Sequence, residues 1–141
     1  MEDCIFCQIV AGDIPSRTVY EDEHAFAFLD VNPLAPGHTL VIPKSHHETL
    51  GDLPAGESAA LAAAVHEVAP AVEAAMDADA TTVACNNGEA AGQEVPHVHY
   101  HVVPRYEGDG YGPIHALFDG PTDVSDDELD DIADDIGGAL D

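Results

Sequence analysis

A chain of 141 residues that is 45% hydrophobic is long enough to close one domain around a buried core. Its 28 Asp and Glu against 3 Lys and Arg leave a formal net charge of −25 at pH 7, which excludes the basic footprint of a protein that binds long nucleic acid and any attraction to an anionic membrane surface. No charged-then-apolar leader opens the chain and no apolar run reaches the ~20 residues of a membrane span, so a soluble, cytoplasmic protein is expected.

High acidity with few aromatics also describes disordered chains, but apolar periodicity runs through most of this one. The charge fits a surface adapted to molar salt instead, where the Debye length falls to about 3 Å and self-repulsion is screened.

In chain order, Cys4-Ile5-Phe6-Cys7-Gln8-Ile9 predicts a short helical turn stopped by Gly12 and Pro15. Its Cys-x-x-Cys has three readings: a disulfide, a thioredoxin-like redox pair, or half of a zinc site. A cytosolic chain disfavours the first, and the lack of a surrounding βαβ pattern disfavours the second. Zinc requires two further ligands, for which the sequence offers His46 and His97; two buried free thiols are the plain alternative.

Thr18–Glu21 and His24–Asp30 read as strands joined at Asp22-Glu23, and Asn32-Pro33 and Pro36-Gly37 mark a turn or loop before a third, buried strand over Gly37–Lys44. Residues 54–77 carry Leu61, Val65, Val68, Val72 and Met76 at spacings of three and four, which predicts one long helix. Pro70 should kink that helix or divide it near His66 to Ala69, and His66 should be exposed. Thr81–Asn86 is a fourth strand with Cys85 as a core residue. Gly88 and Gly92 in the loop 87–96 let backbone amides approach an anion, although the lysine of a P-loop is missing.

The stretch Pro96–Arg105 predicts a fifth strand. Alternation puts His97, His99 and His101 on one face, successive imidazoles about 6.5–7 Å apart, and Val98, Tyr100 and Val102 on the other. A chance or tag-like histidine run is the bland alternative, but such runs are uniform and terminal, whereas this one is internal and alternates with apolar residues. Residues 106–121 read as a Gly- and Pro-rich loop, and Asp126–Leu140 as a helix opened by the capping box Ser125-Asp126-Asp127-Glu128. The expected architecture is α+β: an antiparallel sheet of about five strands, one long helix and a C-terminal helix. All 141 residues are expected in a single domain, with the motifs in 4–105 and a variable segment in 106–141.

His97-Val98-His99-Tyr100-His101-Val102-Val103 resembles the signature His-φ-His-φ-His-φ-φ of the histidine-triad (HIT) family of nucleotide hydrolases and transferases, with Tyr100 taken as apolar. The run from Gly37-His38 through Leu40-Val41-Ile42-Pro43-Lys44 to His46 is similar to a second segment of that family. The resemblance implies a HIT-like fold and hydrolysis of nucleoside 5′-phosphoramidates or related AMP conjugates through a nucleotidyl-histidine.

In that scheme His99 is the nucleophile, His101 donates to a phosphate oxygen with Gln93 and loop amides, and His38 holds a backbone or His99 ring nitrogen. Asp30 binds ribose, with a strand-end cap as its plain alternative. Asn86 and Gly92 contact ribose or phosphate. Phe6, Ile9 and Phe28 lie near a purine base, with ordinary core packing as their alternative. Cys4, Cys7, His46 and His97 hold a structural zinc, no catalytic metal is required, and the protein is a homodimer. Glu94 departs from the family's Ser or Thr, and Lys44 and Arg105 flank the expected site elements. The rival functions are a dinucleoside-polyphosphate hydrolase on the same site, a zinc-stabilised nucleotide-binding module with little turnover, and a redox protein using Cys4 and Cys7.

Overall fold

A computed structural model describes residues 3–140. The order of elements is α1 (Ile5–Ala11), β1 (Thr18–Glu21), β2 (Ala25–Leu29), β3 (Thr39–Pro43), α2 (Ala55–Met76), β4 (Ala80–Ala84), β5 (Tyr100–Arg105) and α3 (Asp126–Ala139), with short 3-10 turns between some of them. The chain divides into two compact units, one up to Asp109 and one from Gly110 onward. The motif-bearing stretch 4–105 lies within the first unit.

The first unit holds a five-stranded antiparallel sheet in the order β1-β2-β3-β5-β4. Period-two alternation divides its side chains between two helices. Ala25, Ala27, Val41, Val98 and Val102 pack with Leu61, Ala64, Val68 and Val72 of α2, while Phe26, Phe28, Leu40 and Ile42 meet Cys4, Phe6 and Ile9 around α1. The valines of the histidine stretch thus face α2, as the alternation required, and the imidazoles are left to the α1 face.

Two expectations about regular structure are corrected. α2 runs undivided through Pro70 for 22 residues, so of the two expected outcomes, a kink or a division near His66 to Ala69, it is the division that is corrected. Pro70 is exposed and the buried residues Leu61 to Val72 continue on either side of it, so packing on the sheet outweighs the one lost backbone donor. By length and composition α2 is also apolar enough to cross a membrane, which the reading by runs had missed because three glutamates interrupt it. β5 begins only at Tyr100, so among the three triad histidines His101 alone sits in the ladder. A tight turn from His97 N–H to the Val95 carbonyl (2.8 Å) and a bond from Val98 N–H to the His47 carbonyl (2.9 Å) take the preceding residues out of the sheet.

In the second unit Ser125 caps α3, its hydroxyl accepting from Glu128 N–H while the Glu128 carboxylate returns to Ser125, the capping box that was expected. A 3-10 turn over Ile114–Leu117 interrupts the segment read as loop.

Gly37, before His38 at the entry to β3, has φ +97°, and a Cβ there would meet Met76 Cγ at 2.5 Å. Gly37→Ala is expected to lower the unfolding free energy by about 1–3 kcal/mol, read as a lower denaturant midpoint at unchanged slope.

Candidate functional site

α1 and the N-terminal end of the triad stretch meet at a cluster of thiols and imidazoles. Cys4 is the N-cap of α1, its Sγ accepting from Cys7 N–H at 3.4 Å. His97 is fully buried and its Nε2–H donates to the Pro43 carbonyl at 2.8 Å, which leaves Nδ1 unprotonated and turned to the thiols, 3.3 Å from Cys4 Sγ and 3.6 Å from Cys7 Sγ. His46 Nδ1 lies 3.4 Å from Cys7 Sγ. The four donor atoms fall within 4.8 Å of one another.

Burial, with the charges of His46, His99 and His47 added, pushes the His97 imidazole down to about 4. Burial and the Cys4 thiol push Cys7 upward. A neutral imidazole of fixed tautomer, a second imidazole and two thiols are the donor set that suits tetrahedral zinc. A bound cation would reverse the upward push on the Cys7 thiol.

On the same face of the sheet a cleft of about 450 Å³ opens between α1, the β2–β3 connection and the loop before the triad. His38, His99 and His101 line it, with Asp30, Asn86, Gly92, Phe6, Ile9 and Phe28. Phe6 stands edge-on to Phe28 at 5.6 Å and to His99 at 5.1 Å between ring centroids, so one residue of α1 bridges the apolar end of the cleft and the imidazoles.

The protons in this cleft are fixed by main-chain partners. His99 Nδ1–H donates to the His97 carbonyl at 2.8 Å, and its lone pair is therefore on Nε2. His38 Nδ1 accepts from Leu34 N–H at 3.0 Å, so Nε2 carries the proton and donates to His101 Nδ1 at 2.9 Å. His101 must then carry its own proton on Nε2. Asp30, His38 and His101 also converge within 4.8 Å, but with the His38 proton between the two rings this is a hydrogen-bonded relay and not a metal clamp. Burial pushes His38 down and His101 down to about 4, the Asp30 charge opposing in each case.

Several residues sit elsewhere than the resemblance implied. His38 holds a backbone amide as expected, but its ring partner is His101, not His99. Gln93 does not face the cleft: its Oε1 accepts from Gly88 N–H at 2.7 Å and its Nε2 donates to the Glu48 and Val95 carbonyls, which buckles the loop together. Asp30 acts as a turn cap, Oδ1 accepting from Asn32 N–H, and it also lines the cleft. Lys44 is paired with Glu21 and Arg105 with Asp109, and neither lines the cleft. Cys85 is only half-buried, just past β4. The groups that sequence reasoning missed, the Leu34 amide and the Pro43 and His97 carbonyls, are main-chain atoms with no residue signature.

His38, His99 and His101, each of fixed tautomer, line one cleft on an antiparallel sheet beside a Cys2His2 cluster, which defines a histidine-centred site in a protein of the α+β class. The HIT domain family matches residues 11–108, and the chain belongs to the HIT family, which includes nucleotide hydrolases. An uncharacterized HIT-like protein of Methanocaldococcus jannaschii is 49% identical over 107 residues, 76% of this chain and 82% of its own length. The adenylylsulfatase HINT3 of Arabidopsis thaliana is 42% identical over 107 residues, 76% of this chain but 54% of its own length.

Among solved structures, a HIT family protein of Bacillus subtilis superposes with a TM-score of 0.85 at 42% identity, covering 96% of both chains. A zinc-bound histidine triad family protein of Mycobacterium smegmatis gives 0.75 at 42% identity over 86% of this chain and 85% of its own. A histidine triad nucleotide-binding protein of Candida albicans gives 0.82 at 30% identity over 98% and 97%. The family match begins after Cys4 and Cys7, so half of the thiol–imidazole cluster lies outside it.

The imidazoles of His97 and His101 bind protons less readily when folded, at about 4, than in an unfolded chain, at about 6.5. The unfolded state takes up more protons across that window, so stability rises with pH through it. Metal-free protein is expected to keep this contribution in full above about pH 6.5 and to lose a few kcal/mol as pH falls to about 4. Denaturant titrations at stepped pH check the slope.

Proposed function

We propose that the protein hydrolyses nucleoside 5′-phosphoramidates and related nucleotidyl conjugates, AMP-linked by preference, through a covalent nucleotidyl-His99 intermediate. The observation that carries this reading is the hydrogen bond from His99 Nδ1–H to the His97 carbonyl, which leaves Nε2 as a lone-pair nucleophile on a ring that lines the cleft. Base and ribose occupy the end lined by Phe6, Ile9 and Phe28, with Asp30 toward the ribose hydroxyls and Asn86 and Gly92 toward the phosphate.

His99 Nε2 then attacks the α-phosphorus, the bond to the leaving amine breaks, and the amine departs with a proton taken from water. The charge gained by the ring is shared through Nδ1–H with the His97 carbonyl. His101 Nε2–H donates to a non-bridging phosphate oxygen, held in that tautomer by His38. Water cleaves the phosphorus–Nε2 bond in the second half, releasing the nucleotide and a proton and restoring the ring. Because burial keeps His38 and His101 neutral, their donors act without first losing a charge.

Cys4, Cys7, His46 and His97 hold zinc in this reading, and the ion supplies a structural tie between α1 and the triad stretch. The protein works as a homodimer in a cytoplasm of high salt. Cleavage of adenylyl sulfate by the same attack is the second reading, favoured by the adenylylsulfatase relative.

Turnover of an AMP–amine conjugate, adenylyl sulfate and a diadenosine polyphosphate, measured side by side in molar potassium chloride, tests the assignment. The amine conjugate is expected to lead, and His99→Ala to cut its kcat by about a thousandfold or more. Turnover insensitive to that substitution sinks the mechanism. Metal analysis is expected to find about one zinc per chain, absent from a Cys4→Ser, Cys7→Ser variant, with chelation lowering the melting temperature by on the order of 10 °C.

A further inference from the structure

Glu94 stands three residues before the triad, where the resemblance leads one to expect a hydroxyl, and it lines the same cleft as His99 and His101. Its backbone is held from both sides. Gln93 behind it is buried with both amide atoms engaged, and Val95 after it packs on the Phe6 and Phe28 cluster. The Glu94 side chain is exposed and has no hydrogen bond or ion pair among the described residues. Its carboxylate is therefore a fixed-base charge at the cleft wall with no partner to neutralise it.

No Lys or Arg side chain of the cleft offsets that charge. Asp30 adds a second carboxylate, and none of the chain's three cationic side chains lines the cleft. Lys44 and Arg105 are committed to Glu21 and Asp109, and Arg17, which follows the rim residue Ser16, is exposed. Burial keeps His38 and His101 from supplying positive charge near neutral pH. A conjugate entering this site meets dipolar donors for its α-phosphate and a field of one sign for whatever is attached to it.

We propose that Glu94 is a specificity-determining residue that selects by the charge of the leaving group, favouring nucleotidyl conjugates whose leaving group carries its own positive charge and rejecting those extended by sulfate or further phosphates. This rests on the reading that His99 attacks the α-phosphorus. It adds to that reading a reason for preferring one class of conjugate, which the histidines alone do not supply. A carboxylate acts on a neighbouring cation without enclosing it, so the selection is by charge and not by shape.

Three adenosine phosphoramidates that share one phosphorus–nitrogen linkage and one spacer, ending in a trimethylammonium, a neutral alkyl or a carboxylate group, provide the test. Wild-type protein is expected to rank them cation, neutral, anion in kcat/KM, with about tenfold between neighbours in sub-molar salt and a narrower span in molar salt. Glu94→Gln should compress the span to near parity and Glu94→Lys should invert it. Ratios between conjugates cancel any loss common to all three. A span unchanged in Glu94→Gln overturns this proposal while leaving the phosphoramidase reading intact. Absence of turnover on all three in the wild-type protein overturns both.

Discussion

The hydrogen bond from His97 Nε2 to the Pro43 carbonyl is the contact on which the rest of the site depends. It is fully buried, and without it an imidazole in that position would leave a donor unpaired at a cost of about 1–3 kcal/mol. By fixing the proton on Nε2 it turns the unprotonated Nδ1 to Cys4 and Cys7. The carbonyl of the same residue accepts from His99. The side chain of one residue thus orders the thiol–imidazole cluster while its main chain orders the ring beside it. The N-terminal helix, the end of β3 and the triad stretch are positioned through that single point.

Charge is distributed in a way that looks unfavourable for an anionic ligand and is resolved at short range. The surface carries nearly all of the formal charge of −25, while burial holds the His38 and His101 imidazoles of the cleft neutral. Neutral, oriented donors recognise a phosphate without a desolvated cation to maintain. Because the Coulomb field of the surface is screened within a few ångströms at high salt, recognition is left to the groups that touch the ligand.

The elements whose signal resides in side chains were legible in the sequence. The 3.6-residue period of α2, the alternation that divides Val98 and Val102 from the imidazoles, the capping box at Ser125 and the two cysteines with two distant histidines all correspond to observed features. What was not legible depends on main-chain atoms of distant segments. The start of β5 is set by the His47 carbonyl, and the direction of the hydrogen bond from His38 to His101 is set by the Leu34 amide. Gln93 carries the residue type of a ligand contact, yet its bonds to three main-chain groups make it a loop buckle. Pro70 signalled a kink or a break, and burial of the neighbouring helix face kept the helix undivided.

The relay from Leu34 through His38 to His101 begins at a peptide N–H, which can only give a proton and never accept one. The polarity of the relay is therefore written into the covalent chain. Leu34 is 74% exposed and its side chain is irrelevant to that polarity, so nineteen of the twenty amino acids satisfy the requirement and proline alone removes it. The side chain at this position can change while the direction of the protons stays unchanged. What must be preserved is the path of the backbone between β2 and β3, where Pro33 and Pro36 on either side restrict the unfolded chain and reduce the entropy lost in presenting that amide.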